Sequence, residues 1–286
     1  MTERVRLDGI RLDHVLYAGR DLDRLEAIFE SVELPPDYGG VHGNRVTHNA
    51  VVGFDDGSYA ELLALYDAER ESPRRNAYLR SNVGPCGWAL ETADAEEAAD
   101  RFRGRGVTVE GPVSLGRERP DGTRTEWNLV YLGTGEPGAA LPFLIEDVTP
   151  RSTRIQPTEG ITGTELTGID RVIVGSADPS GAISTFRRAF ALPEPVRERS
   201  EALEATVAVF PETPLVIATA ETGWLSERTR RFGDLVCAFL IGTTDFDASV
   251  DRCGIAETEV WRDQRVGWFP VADDIGGRFG IVEVDG

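Results

Sequence analysis

Leu12-Asp13-His14-Val15-Leu16-Tyr17-Ala18-Gly19-Arg20-Asp21-Leu22 opens a stretch that closes at Ser58-Tyr59-Ala60-Glu61-Leu62-Leu63. Residues 9–18 alternate apolar and polar side chains imperfectly, as a strand covered on one side does. Asp21 stands where a helix N-cap belongs, and Leu22, Leu25, Ile28 and Phe29 give one apolar face to a helix over 21–32. Pro35-Pro36 ends that helix. Gly39-Gly40, His42 and Gly43 form a loop or short strand. Strands follow over 46–54 and 58–66, split by the hairpin signal Asp55-Asp56-Gly57. The order is strand, helix, then two or three strands. All three histidines of the chain, His14, His42 and His48, lie inside this stretch, which marks it as a functional candidate.

The same order recurs along the chain. A strand over 86–92 leads to Asp94, a helix over 95–106 and strands over 107–115, 123–132 and 140–147, with a turn at Arg119-Pro120-Asp121-Gly122. Residues 148–165 are polar with proline and glycine, and read as a linker. A third copy begins at 168–174, with Asp178-Pro179 starting its helix and strands over 203–210 and 213–220. Residues 224–232 suggest a short connecting helix. A fourth copy begins at 234–240, is capped by Asp245 and ends in a strand over 279–284. Seven residues before the cap aspartates Asp21, Asp94, Asp178 and Asp245 lie His14, Gly87, Arg171 and Ala238. A shared spacing across four units predicts an internal repeat.

A βαβββ unit repeated in pairs resembles the vicinal oxygen chelate superfamily, the fold of glyoxalases and extradiol dioxygenases. Residues 8–150 resemble its glyoxalase-like domain subgroup in four places. These are Leu12-Asp13-His14-Val15 with Asp21-Leu22; Gly39-Gly40 through Thr47-His48-Asn49; Asp56-Gly57-Ser58-Tyr59-Ala60-Glu61-Leu62; and Arg119-Pro120-Asp121-Gly122 through Trp127 to Leu141-Pro142-Phe143-Leu144-Ile145-Glu146. The resemblance implies an α+β fold of four βαβββ units paired into two glyoxalase-like domains. The expected boundaries are 8–150 and 166–286, with 151–165 between them; the second domain keeps only the architecture.

The resemblance also implies a divalent metal in the cup of each pair, bound from first and last strands. Carried over by position, it nominates His14, Glu61 and Glu146 as ligands. Gly87 or Trp88 stands at the fourth position, and neither is a ligand. One imidazole with carboxylates suits Mn, Fe, Mg or Ni at least as well as Zn. Glu61 shares a strand face with Tyr59 and Leu63, and Glu146 shares one with Leu144. His48 is a candidate acid or base beside Glu61, since imidazole titrates near neutrality. Arg124, Glu126 and Asn128 alternate with Thr125, Trp127 and Leu129, and either face could line the cup. In the second pair Arg171, Ala238 and Glu283 occupy equivalent positions, so that pair is expected to hold no catalytic metal.

Two functions follow as expectations. The first is a metal-dependent lyase, isomerase or dioxygenase acting on a small oxygen-rich molecule in the first cup. The second is a metal-free module that binds or sequesters a small molecule, with Trp88, Trp127, Tyr59 and Phe54 as stacking surfaces.

Composition sets bounds on partners. The chain has 286 residues and a net charge of −19, and its 30 basic residues are all arginine. Such a negative field repels phosphate backbones and argues against non-specific nucleic-acid binding. No apolar run approaches the ~20 residues of a membrane span, and the first residues lack a signal-peptide core. The expectation is a cytoplasmic protein with a small-molecule substrate or ligand, able to form a homodimer. Cys86, Cys237 and Cys253 are odd in number and far apart, which predicts buried free thiols rather than a disulfide framework.

Overall fold

The computed structural model describes residues 5–43, 45–72, 74–119, 121–136, 138–270 and 275–285; Pro120 of the expected 119–122 turn and the first four residues lie outside these. The first unit runs β1 (Arg6–Leu7), β2 (Ile10–Ala18), α1 (Leu22–Glu30), β3 (Asp37–Val41), β4 (Thr47–Gly53) and β5 (Tyr59–Leu65), then α2 (Asn76–Arg80). The second has β6 (Gly84–Glu91), α3 (Ala95–Gly104), β7 (Val109–Glu118), β8 (Arg124–Leu132) and β9 (Phe143–Asp147), followed by α4 (Arg151–Arg154). The third has β10 (Leu166–Gly175), α5 (Pro179–Phe190), β11 (Val196–Ser200), β12 (Ala205–Val209) and β13 (Leu215–Thr219), then α6 (Gly223–Phe232). The fourth has β14 (Leu235–Thr243), α7 (Phe246–Cys253), β15 (Glu257–Trp261), β16 (Gln264–Trp268) and β17 (Arg278–Glu283).

Local chemistry accounts for where the long helices begin. Asp21, Asp94, Asp178 and Asp245 are all N-caps, and each side chain accepts from backbone N–H groups of the first turn. Those donors have no partner within the helix, so the carboxylate satisfies them and complements the helix dipole. Pro179 follows its cap at the position where a missing N–H costs nothing. Among the described residues, no helix is long and apolar enough to cross a membrane. The three cysteines are free and buried.

The strands form two curled mixed sheets, ordered β3-β4-β5-β2-β6-β9-β8-β7 and β11-β12-β13-β10-β14-β17-β16-β15, with β1 added beside β2. Both orders are mirror-like about a central antiparallel pair, β2 with β6 and β10 with β14. Each central strand then pairs in parallel with the last strand of its own unit. This is the α+β arrangement of four βαβββ units in two pairs.

Side-chain alternation assigns the two faces of each sheet. On one face of the first sheet, Val15, Tyr17, Leu62, Trp88 and Leu144 join the helices α1 and α3 in one core. The same core takes Val172, Val174, Phe239 and Phe279 from the second sheet, so both pairs share a single apolar interior. Phe279 is its hub. Its ring stacks on Phe29 at 4.6 Å and on Phe239 at 5.4 Å, and meets Tyr17 edge-on at 5.6 Å. The other face of each sheet is the inside of a cup. In the second sheet Leu240, Val266, Trp261 and Trp268 narrow that space, and a cavity of about 300 Å3 beside Arg171, Trp261, Gln264 and Val266 is left. In the first sheet it stays open.

Truncating Phe279 to alanine removes a fully buried ring and should lower unfolding free energy by about 3–5 kcal/mol. Urea titration followed by tryptophan fluorescence checks it, and a loss below about 1 kcal/mol would show that the two pairs do not share this core.

Candidate functional site

The open cup encloses a cavity of about 350 Å3. Its walls come from β2, β4, β5, β7, β8 and β9, and alternation decides what each strand contributes. On β8 the inward face is Trp127, Leu129 and Tyr131; on β9 it is Phe143 and Ile145. On β5 it is Tyr59 and Glu61. One part of the cavity is therefore aromatic and aliphatic. The other gathers His14, His42, Asn49, Glu61, Arg117 and Arg154.

His14 lies beside a register shift between Leu12 and His14 in the β2–β6 ladder. Such a bulge breaks strict alternation, and both Asp13 and His14 end up at the polar end of the cup. The His14 imidazole is 2% exposed and stacks on the Tyr59 ring at 4.6 Å. Its Nδ1 lies 2.6 Å from Asp13 Oδ1. Its Nε2 has no hydrogen-bond partner and stands 3.6 Å from Glu61 Oε2.

Asp13 has no exposed surface. Arg154 spans its carboxylate, Nη1 donating to Oδ1 at 3.0 Å and Nη2 to Oδ2 at 3.1 Å, and Arg151 Nη1 donates to Oδ2 as well. Arg154 also donates to Asp147 at 2.6 and 2.9 Å and to the Tyr59 hydroxyl at 2.6 Å. Burial alone would raise the Asp13 pKa, but Arg154, Arg151 and the bond with His14 outweigh it and hold the carboxyl well below its usual range. Burial pushes the Tyr59 phenol far up, so it stays protonated.

Glu61 accepts from Asn49 Nδ2 at 2.6 Å. Asn49 Oδ1 in turn accepts from Arg117 Nη1 at 2.7 Å, so the amide relays a guanidinium to a carboxylate. His42 Nε2 stands 3.6 Å from Glu61 Oε1, while His42 Nδ1 is 2.8 Å from Thr47 Oγ1. Burial opposes the Glu61 charge, yet His42, His14 and Arg117 together hold its pKa far below the ordinary value. The motif Gly39-Gly40 has a steric reason here. A Cβ on Gly39 would lie 2.4 Å from Asn49 Oδ1 and 3.0 Å from Arg117 Nη1, so only glycine admits this relay.

Several sequence-based expectations meet the structure here. His14 and Glu61 come together in the cup; Glu146 does not join them. It shares the face of Leu144, which belongs to the helix-side core, and it accepts from Asn128 Nδ2 at 2.8 Å. The face of β8 left open by the sequence is settled in the same way: Trp127 and Leu129 line the cavity, and Asn128 turns away. His48 also stands on the far face of its strand, between the rings of Tyr38 and Tyr66 at 6.1 and 5.5 Å, where burial lowers its pKa. Its neighbours Thr47 and Asn49 line the cup instead, and the histidine that lines it beside His14 is His42. Trp88 and Phe54 are core residues without a wall in the cup. The expected linker does more than connect, because α4 carries Arg151 and Arg154 into the site. Asp13, His42, Asn49, Arg117 and Arg154 are the residues that sequence reasoning missed. A pair of arginines three apart, ahead of any acid in the linker, was the available signal for Arg151 and Arg154.

The nominated ligands His14, Glu61 and Glu146 do not converge on one point, because Glu146 stands on the far face of β9. Among the described residues no group of three or more His, Cys, Asp or Glu is arranged to hold an ion. His14 Nε2 and His42 Nε2 each stand 3.6 Å from an oxygen of Glu61, and the inward positions of β9 carry Phe143 and Ile145, which cannot ligate. Glu61 already has Asn49 as a hydrogen-bond donor.

The chain belongs to the glyoxalase-like domain family, whose model, described as a Glyoxalase-like domain, matches residues 12–190. A comparison with curated proteins finds no match. In structure it is similar to a hypothetical protein from Staphylococcus aureus, with TM-score 0.65 and 16% identity, covering 96% of this chain and 99% of that one. It is also similar to a variant of 4-hydroxymandelate synthase from Streptomyces coelicolor, with TM-score 0.62 and 15% identity over 96% and 92% of the two chains. A halotolerant catechol dioxygenase aligns with TM-score 0.54 and 11% identity over 99% and 88%. At these identities the likeness establishes the vicinal oxygen chelate fold and nothing about chemistry.

Replacing Asp13 by asparagine leaves two buried arginines short of a counter-charge, and should cost about 3–5 kcal/mol of stability. The carboxyl pKa values of Asp13 and Glu61 are lowered by folding. Their contribution is therefore complete above the ordinary carboxylate range, about pH 4–5, and is lost as pH falls through the folded values. Denaturation midpoints measured from pH 7 to pH 3 should fall in the acid limb for the wild type and fall less for Asp13→Asn. Parallel profiles for the two proteins would contradict the assignment.

Proposed function

We propose that the first cup binds a small molecule without a resident metal. Its apolar or aromatic body lies against Trp127, Leu129 and Phe143, and its polar end lies at Glu61, His14 and His42. The observation that carries this reading is the donor set: among the described residues Glu61 with His14 and His42 is not arranged to hold an ion, and the inward positions of β9 are aromatic and aliphatic. A cavity of about 350 Å3 is of the size that takes a ligand of modest mass. Ionised Glu61 is an acceptor, so the ligand presents a hydrogen-bond donor such as a hydroxyl or N–H.

A second reading, proton transfer on the bound molecule, is favoured by one arrangement. His14 Nδ1 is engaged by a buried carboxylate while Nε2 is without a partner. An imidazole oriented in that way has its second nitrogen disposed for acid–base chemistry on a group within hydrogen-bond reach. Binding is common to both readings; catalysis requires the second.

Two measurements test the proposal. Elemental analysis of the purified protein and of His14→Ala should give equally low metal content; a stoichiometric ion that His14→Ala loses would overturn the metal-free reading. In chelator-treated protein, 4-hydroxybenzoate or a similar phenolic probe should quench tryptophan emission saturably. Glu61→Gln should weaken that binding about tenfold or more, as expected for loss of a charge-assisted hydrogen bond worth about 1.5–3 kcal/mol. Binding that vanishes on chelation and returns with added metal would refute it.

A further inference from the structure

The segment between β5 and α2 brings Ser72, Arg74 and Arg75 to the wall of the first cup. It is held in place from several sides. Arg80 Nη2 donates to the carbonyls of Ala68 and Arg70 at 3.2 and 3.0 Å, and Asn76 Oδ1 accepts from the Ser72 N–H at 3.4 Å. The Arg75 N–H donates to Glu136 Oε2 at 3.1 Å. Arg75 has a φ of 60°, in the left-handed region that is costly for a residue with a Cβ. The chain thus accepts strain at the residue that turns this segment toward the cavity.

Exposure places these side chains at the outer end of the cup. Those of Arg74 and Glu110 are 39% and 59% exposed, against 13% for Glu61 and 3% for His14. Across the rim stand Glu110, Val113 and Leu115 of β7. Arg74 pairs with Glu110 over this gap. Both guanidinium groups also lie over rings of the aromatic wall. Arg74 is 4.6 Å from the centre of the Tyr131 ring, and Arg75 is 5.6 Å from that of Phe143. Ring quadrupoles attract cations in this position, so two positive charges are kept at the wall. From there the rings lead inward. Tyr131 lies 6.3 Å from Phe143, and Phe143 lies 5.4 Å from the His14 imidazole. An ion pair as exposed as Arg74 with Glu110 gains little, because water solvates both partners. A carboxylate on a ligand whose ring is already seated competes for Arg74 at high effective concentration, and Glu110 can yield to it at small cost.

We propose that the ligand of the first cup is an aromatic monocarboxylate, with its carboxylate at the rim on Arg74 and Arg75 and its hydrogen-bond donor at Glu61. This rests on the cup being the binding site, as proposed above, and adds the class of molecule it takes. The ring lies along Tyr131, Trp127 and Phe143. A single negative charge suits the rim better than two, since Glu110 stands there already in a chain whose net charge is −19.

The test compares 4-hydroxybenzoate with 4-hydroxybenzamide by isothermal titration calorimetry on the chelator-treated full-length protein. At neutral pH the two share ring and hydroxyl and differ in charge. The acid should bind about fivefold or more tightly than the amide, the scale of a partly exposed charge-assisted contact. The double variant Arg74→Gln, Arg75→Gln should erase that preference and leave the amide's affinity unchanged. Glu110→Gln releases Arg74 from its partner, and should tighten the acid about threefold without affecting the amide. A merely structural rim pair would not give that gain. Equal affinities for acid and amide in the wild type would overturn the inference and leave the cup as a binding site; binding of neither would overturn both. A preference for the acid that survives the double variant, or an acid that binds Glu110→Gln no better than the wild type, would also overturn it.

Discussion

A buried carboxylate held by two arginines is the constraint on which the first cup depends. Asp13 sits in the bulge of β2, out of contact with water, and its charge is tolerable only because Arg151 and Arg154 reach it from α4. That pairing does three things together. It fastens the segment after β9 across the end of the sheet. It holds a hydrogen-bond acceptor against Nδ1 of His14 and so fixes the ring's orientation. It also places Arg154 over Tyr59, closing the polar end of the cavity. Buried ion pairs are weak sources of net stability but strong determinants of a single arrangement, since any alternative strands a charge.

The two cups share a topology and differ in what fills them. In the second sheet the indoles of Trp261 and Trp268 meet at 5.8 Å inside the curve, and much of the space becomes core. In the first sheet the inward faces of β2 and β6 carry smaller side chains such as Ala18 and Ala89, and the aromatic side chains Trp127, Tyr131 and Phe143 stand at one wall. The two concave faces therefore differ in chemistry: the cavity of the first gathers two histidines, a carboxylate and arginines, and among the described residues that of the second has neither histidine nor an inward carboxylate relay in its wall. The second pair supports the first cup indirectly, because both sheets bury their helix-side faces in one interior around Phe279.

Electrostatics inside the open cup is more balanced than the composition of the chain would suggest. Arg154 and Arg151 answer Asp13 and Asp147, Arg117 answers Glu61 through Asn49, and Arg74 answers Glu110. The acidic excess of the chain is spent on its outside, where scattered carboxylates keep the surface hydrated, and the cavity keeps a matched set of charges. A ligand entering it meets a charged but nearly compensated end and an aromatic wall, which favours a molecule with one polar terminus over a highly charged one.

The amino-acid sequence by itself determined the order of elements and the start of each long helix. Those features rest on interactions between near neighbours: a cap aspartate three residues from the N–H it accepts, a proline at a first helical turn, alternation along a strand. It also brought His14 and Glu61 forward together, through the resemblance of their motifs to the family. Which face of each strand points into the cup was decided only by the tertiary structure. A strand offers two faces of equal local quality, and a one-residue change of phase exchanges them. That is why Glu146 and His48 turned out to face away, and why His42 and Asn49 line the cavity. Arg154, 141 residues from Asp13 along the chain, could be matched to it only by the fold, because a buried charge selects its partner by proximity in space and not by spacing in sequence.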